Sequence, residues 1–159
     1  MFKLLSIVVA TAAFITPATS FADFSTGDGL ALDAVPVVEI PELNWAKVFA
    51  EDAQRSSKDE APRFAIPHHV RISPSSDGIW ERLDRNTMLW SLRIASENAI
   101  SLNLGFSDWA LPHSASMTIG TTDGLMTVRP FTSADNKPHG ELWTPVVQGD
   151  ELLIEIVVS

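Results

Sequence analysis

The chain has 159 residues, of which 45% are hydrophobic and none is Cys, and its formal net charge is −9. This length predicts one domain whose core is large enough to fold without disulfides. The acidic balance argues against nucleic acid and anionic membrane surfaces as partners, because both attract clustered basic residues. It favours solubility and a partner with a basic surface.

Residues 1–22 have the pattern of a secretory signal peptide. Lys3 precedes an apolar run over residues 4–15, Pro17 interrupts the apolar pattern, and a small-x-small motif ends at Ala22. The run is too short for a permanent membrane anchor. We therefore expect cleavage near Ala22 and a bacterial secreted or periplasmic protein that makes no membrane contact afterwards. Removal of Lys3 leaves ten basic residues against twenty acidic ones, a net charge of −10.

A single helix is predicted before the β-rich part of the chain. Residues 23–41 are rich in Gly, Asp and Ala, contain two Pro and show no sustained period, which predicts an extended or disordered arm. Residues 42–62 predict a helix and a charged linker, with Asn44 as the N-cap. The helix prediction rests on four apolar residues at helical spacing: Trp45, Val48, Phe49 and Ala53. This apolar face requires a partner surface.

Short alternating strands dominate residues 63–159. Residues 88–95 and 100–106 alternate on either side of a short turn, which predicts one antiparallel hairpin. The last strand alternates over residues 152–158, and Pro145 in the segment before it favours a sheet edge. The fold prediction is therefore mainly β: an antiparallel β-sandwich, jelly-roll-like, preceded by one short amphipathic helix.

The sequence contains no pattern that predicts catalysis or a cofactor. The four His, at positions 68, 69, 113 and 139, lack the spacing of a zinc site, and no Ser lies in a G-x-S-x-G or G-D-S-G segment. A calcium site would need about six to eight oxygen ligands. The oxygen-bearing side chains near turns favour turn capping instead: Asp135, Asn136, Asp150 and Glu151.

The five Trp residues suggest a second possible function, carbohydrate binding, in which exposed aromatic rings stack on sugars. Trp90 lies in an alternating apolar strand and is interpreted as a core residue. Trp80, Trp109 and Trp143 border turns, where the sequence is compatible with packing and with exposure. A carbohydrate- or surface-binding β-sandwich is the alternative that these three residues leave open.

Several segments, in a fixed order between Ile40 and Val158, carry a resemblance to a known family. The most specific is DNKPHGELWTPVVQGDE, residues 135–151. The others are RFAIP at 63–67, GIW at 78–80, LWSLRIAS at 89–96, SLNLGF at 101–106, LP at 111–112 and PFT at 130–132. Together with the predicted helix, they resemble the amino-terminal propeptide region of bacterial secreted lysyl-endopeptidase-type serine proteases, which are trypsin-like.

The resemblance implies a non-catalytic prodomain that assists the folding of a trypsin-like serine protease domain or inhibits it. In that family a catalytic domain with a His-Asp-Ser triad follows the propeptide. No position of this chain matches the triad, so no catalytic residue is carried over. The protease partner is expected either in cis, in a longer precursor, or in trans, and both interpretations stay open. The expected interaction residues are Trp109, His139, Glu141, Trp143 and Asp150.

Overall fold

The computed structural model describes the backbone of residues 3–10, and residues 30–55, 63 and 65–159 in full. It contains one α-helix, α1 (Trp45–Gln54), and two short 3-10 helices, Leu32–Ala34 and Ser133–Asp135. The strands are β1 (Lys3–Ala10), β2 (Val37–Glu39), β3 (Ala65–His68), β4 (Ile79–Arg82), β5 (Met88–Ala95), β6 (Ser101–Ser107), β7 (Ala115–Thr121), β8 (Thr127–Phe131), β9 (Leu142–Trp143), β10 (Val147–Gln148) and β11 (Glu151–Val158).

These strands form two sheets. The five-stranded sheet has the order β10–β6–β1–β3, and β9 pairs with β6 beside β10. The six-stranded sheet has the order β2–β5–β11–β7–β8, and β4 pairs with β5. Strand β2 runs parallel to β5, whereas the other pairs are antiparallel.

One apolar core joins the two sheets. Leu102 and Leu104 of the five-stranded sheet and Ile94, Ile119 and Leu152 of the six-stranded sheet are all 0% exposed, and they belong to one buried cluster. The inner faces of packed sheets interdigitate in this way in β-sandwiches. The predicted mainly β sandwich with one short helix is therefore confirmed.

The predicted closing strand is confirmed as β11, which lies near the centre of the six-stranded sheet between β5 and β7. Its apolar residues Leu152, Ile154 and Ile156 point into the core at 3% exposure or less. Alternation along this strand places one face in the core, as the period of two requires. The predicted edge is also confirmed, because Pro145 separates β9 and β10, two short strands at the border of their sheet.

The predicted hairpin of residues 88–95 and 100–106 is wrong. The turn itself forms, with the Ala99 N–H donating to the Ser96 carbonyl over 3.0 Å and Asn98 at a φ of 63°. Strand β5 nevertheless belongs to the six-stranded sheet and β6 to the five-stranded sheet. Alternation fixes which face of a strand is buried and leaves its neighbour unspecified. The connection therefore leads from one sheet to the other.

Part of the predicted arm belongs to the sandwich. Strand β2 extends the six-stranded sheet, and the flanking Val35 and Ile40 are buried at 7% and 4%. The segment is extended, as predicted, but it is docked rather than free. Three strand residues are too few to establish a period, which is why the sequence pattern did not reveal the docking. Residues 23–29 of the arm lie outside the described residues.

The predicted helix is confirmed as α1. Its N-cap is Asn44, whose side chain accepts a hydrogen bond from the Lys47 N–H over 3.0 Å. The apolar face does not reach the core, because no residue of α1 is buried and Phe49 is 65% exposed. Arg63, two residues before β3, is paired with Glu51 at 2.9 Å and with Asp52 at 3.1 Å. The helix is thus attached to the chain leading into β3.

The predicted signal peptide overlaps strand β1. Residues 3–10 pair with both β3 and β6, while residues 11–22 lie outside the described part of the chain. Among the residues that the structure describes, no helix has the length and apolar character needed to cross a membrane.

Candidate functional site: the β9–β10 surface

The segment between the second 3-10 helix and β11 contains an exposed surface. We call residues 137–148, which include the two short edge strands, the β9–β10 surface. Within it only Thr144 and Val147 are buried, whereas Trp143 is 50% exposed and Val146 is 44% exposed. These two apolar side chains are therefore accessible for contact with another molecule.

The entry to the β9–β10 surface is fixed by Asn136. Its side-chain amide donates to the Leu111 carbonyl over 2.9 Å, and its side-chain oxygen accepts from the Leu111 N–H over 3.0 Å. The loop then turns at Gly140, which has a φ of 68° and whose carbonyl accepts from the Trp109 N–H over 2.7 Å. A glycine meets the positive φ without strain. The loop is therefore anchored at both of its bends.

Asp135 holds the turn before Asn136. It forms a capping box with Thr132, and its carboxylate lies 2.6 Å from the guanidinium of Arg129. The hydrogen bond from Arg129 is the main cause that lowers the pKa of Asp135 below its ordinary value, and the Thr132 N–H adds to it. Asp135 therefore stays charged over a wider acidic range than a free carboxylate.

The ring of Trp143 lies on the backbone of β6. A Cβ added to Gly105 would come within 2.8 Å of Cζ3 and Cη2 of that ring. The next residue, Thr144, holds the strand in place, since its hydroxyl accepts from the Leu104 N–H and its own N–H donates to the Leu104 carbonyl, each over 2.9 Å. Gly105 thus allows a close approach that positions a half-exposed aromatic ring.

The predicted interaction residues do not form one site. His139, Glu141 and Trp143 all lie on the β9–β10 surface, and the Glu141 N–H donates to His139 Nδ1 over 3.1 Å. Trp109 is 2% exposed and packs between Phe106 and Phe131, with ring centroids at 5.3 and 6.4 Å. Its burial is a correction to the sequence prediction, because a core residue cannot contact a partner in this conformation.

Asp150 lies in a different place, at the opposite end of β6 from Trp143. It lines an acidic groove of about 510 Å³ beside the end of β2. The carboxylates of this groove belong to Glu39, Glu42, Glu97, Asp150 and Glu151. Glu151 is paired with Arg93 at 2.7 Å, so part of the negative charge is compensated internally.

The side chains considered as calcium ligands have separate roles in turns and ion pairs. Asp135 and Asn136 serve the turn and the loop anchor described above, and Glu151 pairs with Arg93. This confirms the predicted capping role for Asp135. Over residues 30–55, 63 and 65–159, no group of three or more His, Cys, Asp and Glu side chains is arranged to hold a metal ion.

The sequence did not indicate a third feature, an apolar groove of about 360 Å³ on the six-stranded sheet. Trp80 forms one wall, is 42% exposed, and donates its ring N–H to the Pro74 carbonyl over 2.7 Å. The opposite wall contains Leu111 and Pro112. These segments are distant in sequence, so only the fold brings them together.

The fold and these surfaces define a mainly β, two-sheet protein with a half-exposed Trp143 at the edge of its five-stranded sheet. No protein-family model matches the sequence. No solved structure matches the fold.

Proposed function

We propose that the protein is a non-catalytic, prodomain-like module that docks onto a secreted trypsin-like serine protease and assists its folding or inhibits it. The proposal is carried by one observation: the segment that most resembles such propeptides is exposed and fixed in shape. Core packing accounts for Thr144 and Val147 of this motif but not for Trp143, Pro145 and Val146, which are exposed. Anchored loops on a rigid scaffold are the usual position of binding residues.

The interaction chemistry fits a partner with an apolar contact and a basic surround. Trp143 and Val146 supply the apolar centre of the β9–β10 surface, and aromatic side chains often dominate the binding energy of interfaces. The net charge of −9 favours association with a basic protein surface. No step of this function requires a catalytic group in the chain.

The test is the refolding yield of the trypsin-like protease that the same organism secretes. Denatured protease is diluted into buffer with and without the purified chain, and recovered activity is measured after the chain has been removed. The wild-type chain should raise the yield, and Trp143→Ala should lose most of the gain. Leu125→Ala is the matched control, because Leu125 is 81% exposed on the turn between β7 and β8. Equal yields with and without the wild-type chain, and no inhibition of the native protease, would contradict the proposal.

Carbohydrate binding is the second candidate, favoured by the support of the Trp143 ring on Gly105. The three Trp residues considered for it do not form one platform, since Trp109 is buried and Trp80 and Trp143 belong to strands of different sheets. Stacking on a sugar would shift the Trp fluorescence of the wild type but not of Trp143→Ala. Unchanged fluorescence across a panel of polysaccharides would exclude this candidate.

A further inference from the structure

Strand β1 fills a slot between two other strands of the five-stranded sheet. It pairs antiparallel with β6 from Lys3↔Ser107 to Ala10↔Ser101, and with β3 from Ile7↔His68 to Ala10↔Ala65. Among the described strands, β3 pairs with β1 alone. The connection between β3 and the rest of this sheet therefore passes through β1.

The residues of β1 are also the start of the predicted signal peptide. The apolar run that follows Lys3 and the motif ending at Ala22 predict that residues 1–22 are removed on export. The exported chain would then lack the strand that completes its sheet. The inference below depends on this cleavage and not on the identity of a protease partner.

Loss of β1 would expose an edge directly beside the core. Strand β6 would lose seven register partners along one side. Its core-facing residues Leu102, Leu104 and Phe106 are at most 2% exposed. Unpaired backbone groups along such an edge need new partners, and an extended segment supplies them by adding a strand.

We propose that the exported protein binds an extended apolar segment of a partner polypeptide in the slot left by β1. The segment runs antiparallel to β6, as β1 does. Directly opposite residues of an antiparallel pair lie on the same face, so the segment carries apolar residues opposite Leu102, Leu104 and Phe106. In β1 these three register positions are held by Val9, Ile7 and Leu4.

A single free segment fits the slot better than a second copy of the sandwich. Neighbouring strands lie about 4.8 Å apart, and a single strand, β1, separates β6 from β3 in the structure, so one segment with both edges free would restore both pairings. The β6 strand of a second copy already pairs with β9 and β10 on its other edge. It could not enter between two strands while keeping those neighbours.

The experiment uses the exported chain and needs no protease. Intact mass first establishes where the exported chain begins. A fluorescein-labelled peptide with the sequence of Lys3–Ala10, flanked by added lysines for solubility, is then titrated with it, and binding is measured by fluorescence anisotropy. We expect saturable 1:1 binding and a higher Tm of the protein in the presence of the unlabelled peptide.

The matched control is the same peptide with Ile7→Asp, which places a charge opposite Leu104 and should bind at least tenfold more weakly. A second control, Val8→Pro, removes one backbone donor and should also weaken binding. An exported chain that retains residues 1–22 would overturn the proposal, as would absence of peptide binding. A dimer that the peptide does not dissociate would overturn it in favour of pairing between copies.

Discussion

Gly105 is the residue on which the position of the Trp143 ring depends. In Gly105→Ala the added methyl would overlap the ring, so we expect the ring to be displaced and the free energy of unfolding to fall by about 1–3 kcal/mol. Urea unfolding followed by Trp fluorescence measures both effects. All three of the nearest atoms belong to Trp143, so the same substitution in a Trp143→Ala background should cost almost nothing. Equal costs in the two backgrounds would contradict the contact.

Asp135 makes the stability of the loop anchor depend on acidic pH. Its pKa is lowered in the folded state, first by Arg129 and then by the Thr132 N–H. The stabilisation is therefore complete above the unfolded pKa of about 3.9 and is lost as pH falls through the lower folded pKa. Because the Arg129 side chain is 63% exposed, the ion pair contributes little, and the cap contributes about 1 kcal/mol.

The variant Asp135→Asn should accordingly be less stable than the wild type at pH 7, and the difference should shrink as the pH falls below the ordinary aspartate pKa. Urea midpoints at a series of pH values measure it. The same series for Asp84→Asn measures the loss of a capping carboxylate at a different turn, remote in sequence from this loop. Asp84 caps that turn by accepting from the Asn86 and Thr87 N–H groups. A constant difference for Asp135→Asn from pH 7 to pH 2.5 would contradict the assigned cause.

At the scale of elements, β11 should be sensitive to shortening of its core side chains. Ile154 is 2% exposed and lies between its register partners Leu92 and Ile119 on the two neighbouring strands. Ile154→Ala removes buried methyl groups and leaves a cavity, so it should cost about 2–5 kcal/mol in chemical unfolding. Leu125→Ala, at an exposed turn, should change stability by no more than about 0.5 kcal/mol. Similar costs for both variants would show that β11 is not central.

The sequence was sufficient to predict elements with regular patterns. The helix was found from four spaced apolar residues and the Asn44 cap, and β11 from its alternation. The sequence did not show which strands pair, because alternation reports the buried face and not the neighbour. For that reason β5 and β6 were predicted as a hairpin although they lie in different sheets.

The candidate site was only partly accessible to sequence reasoning for a similar reason. Trp143 and Trp109 both border turns, yet one is half exposed and the other is in the core. The difference arises from long-range packing: Trp109 lies against Phe106 and Phe131, whereas Trp143 covers Gly105 from outside. Local composition contains no information about these contacts.

At the scale of the whole molecule, the acidic surface should control how fast a basic partner associates. The groove lined by Glu42, Glu97 and Asp150 concentrates part of the chain's net charge of −9. Raising the salt from 50 to 500 mM screens such charges, so the association rate with the protease should fall by roughly tenfold. Surface plasmon resonance measures it. In Glu42→Gln/Glu97→Gln the salt dependence should be weaker, and an unchanged dependence would exclude the groove from the encounter.

The most direct test of the docking function is a calorimetric titration of the exported chain into the trypsin-like protease secreted by the same organism. We expect saturable 1:1 binding that Trp143→Ala weakens by at least tenfold and Leu125→Ala leaves unchanged. Two results would contradict the claim that the β9–β10 surface is a docking site for a protease. One is that micromolar concentrations give neither heat of binding nor inhibition of the protease; the other is equal binding by the Trp143→Ala variant.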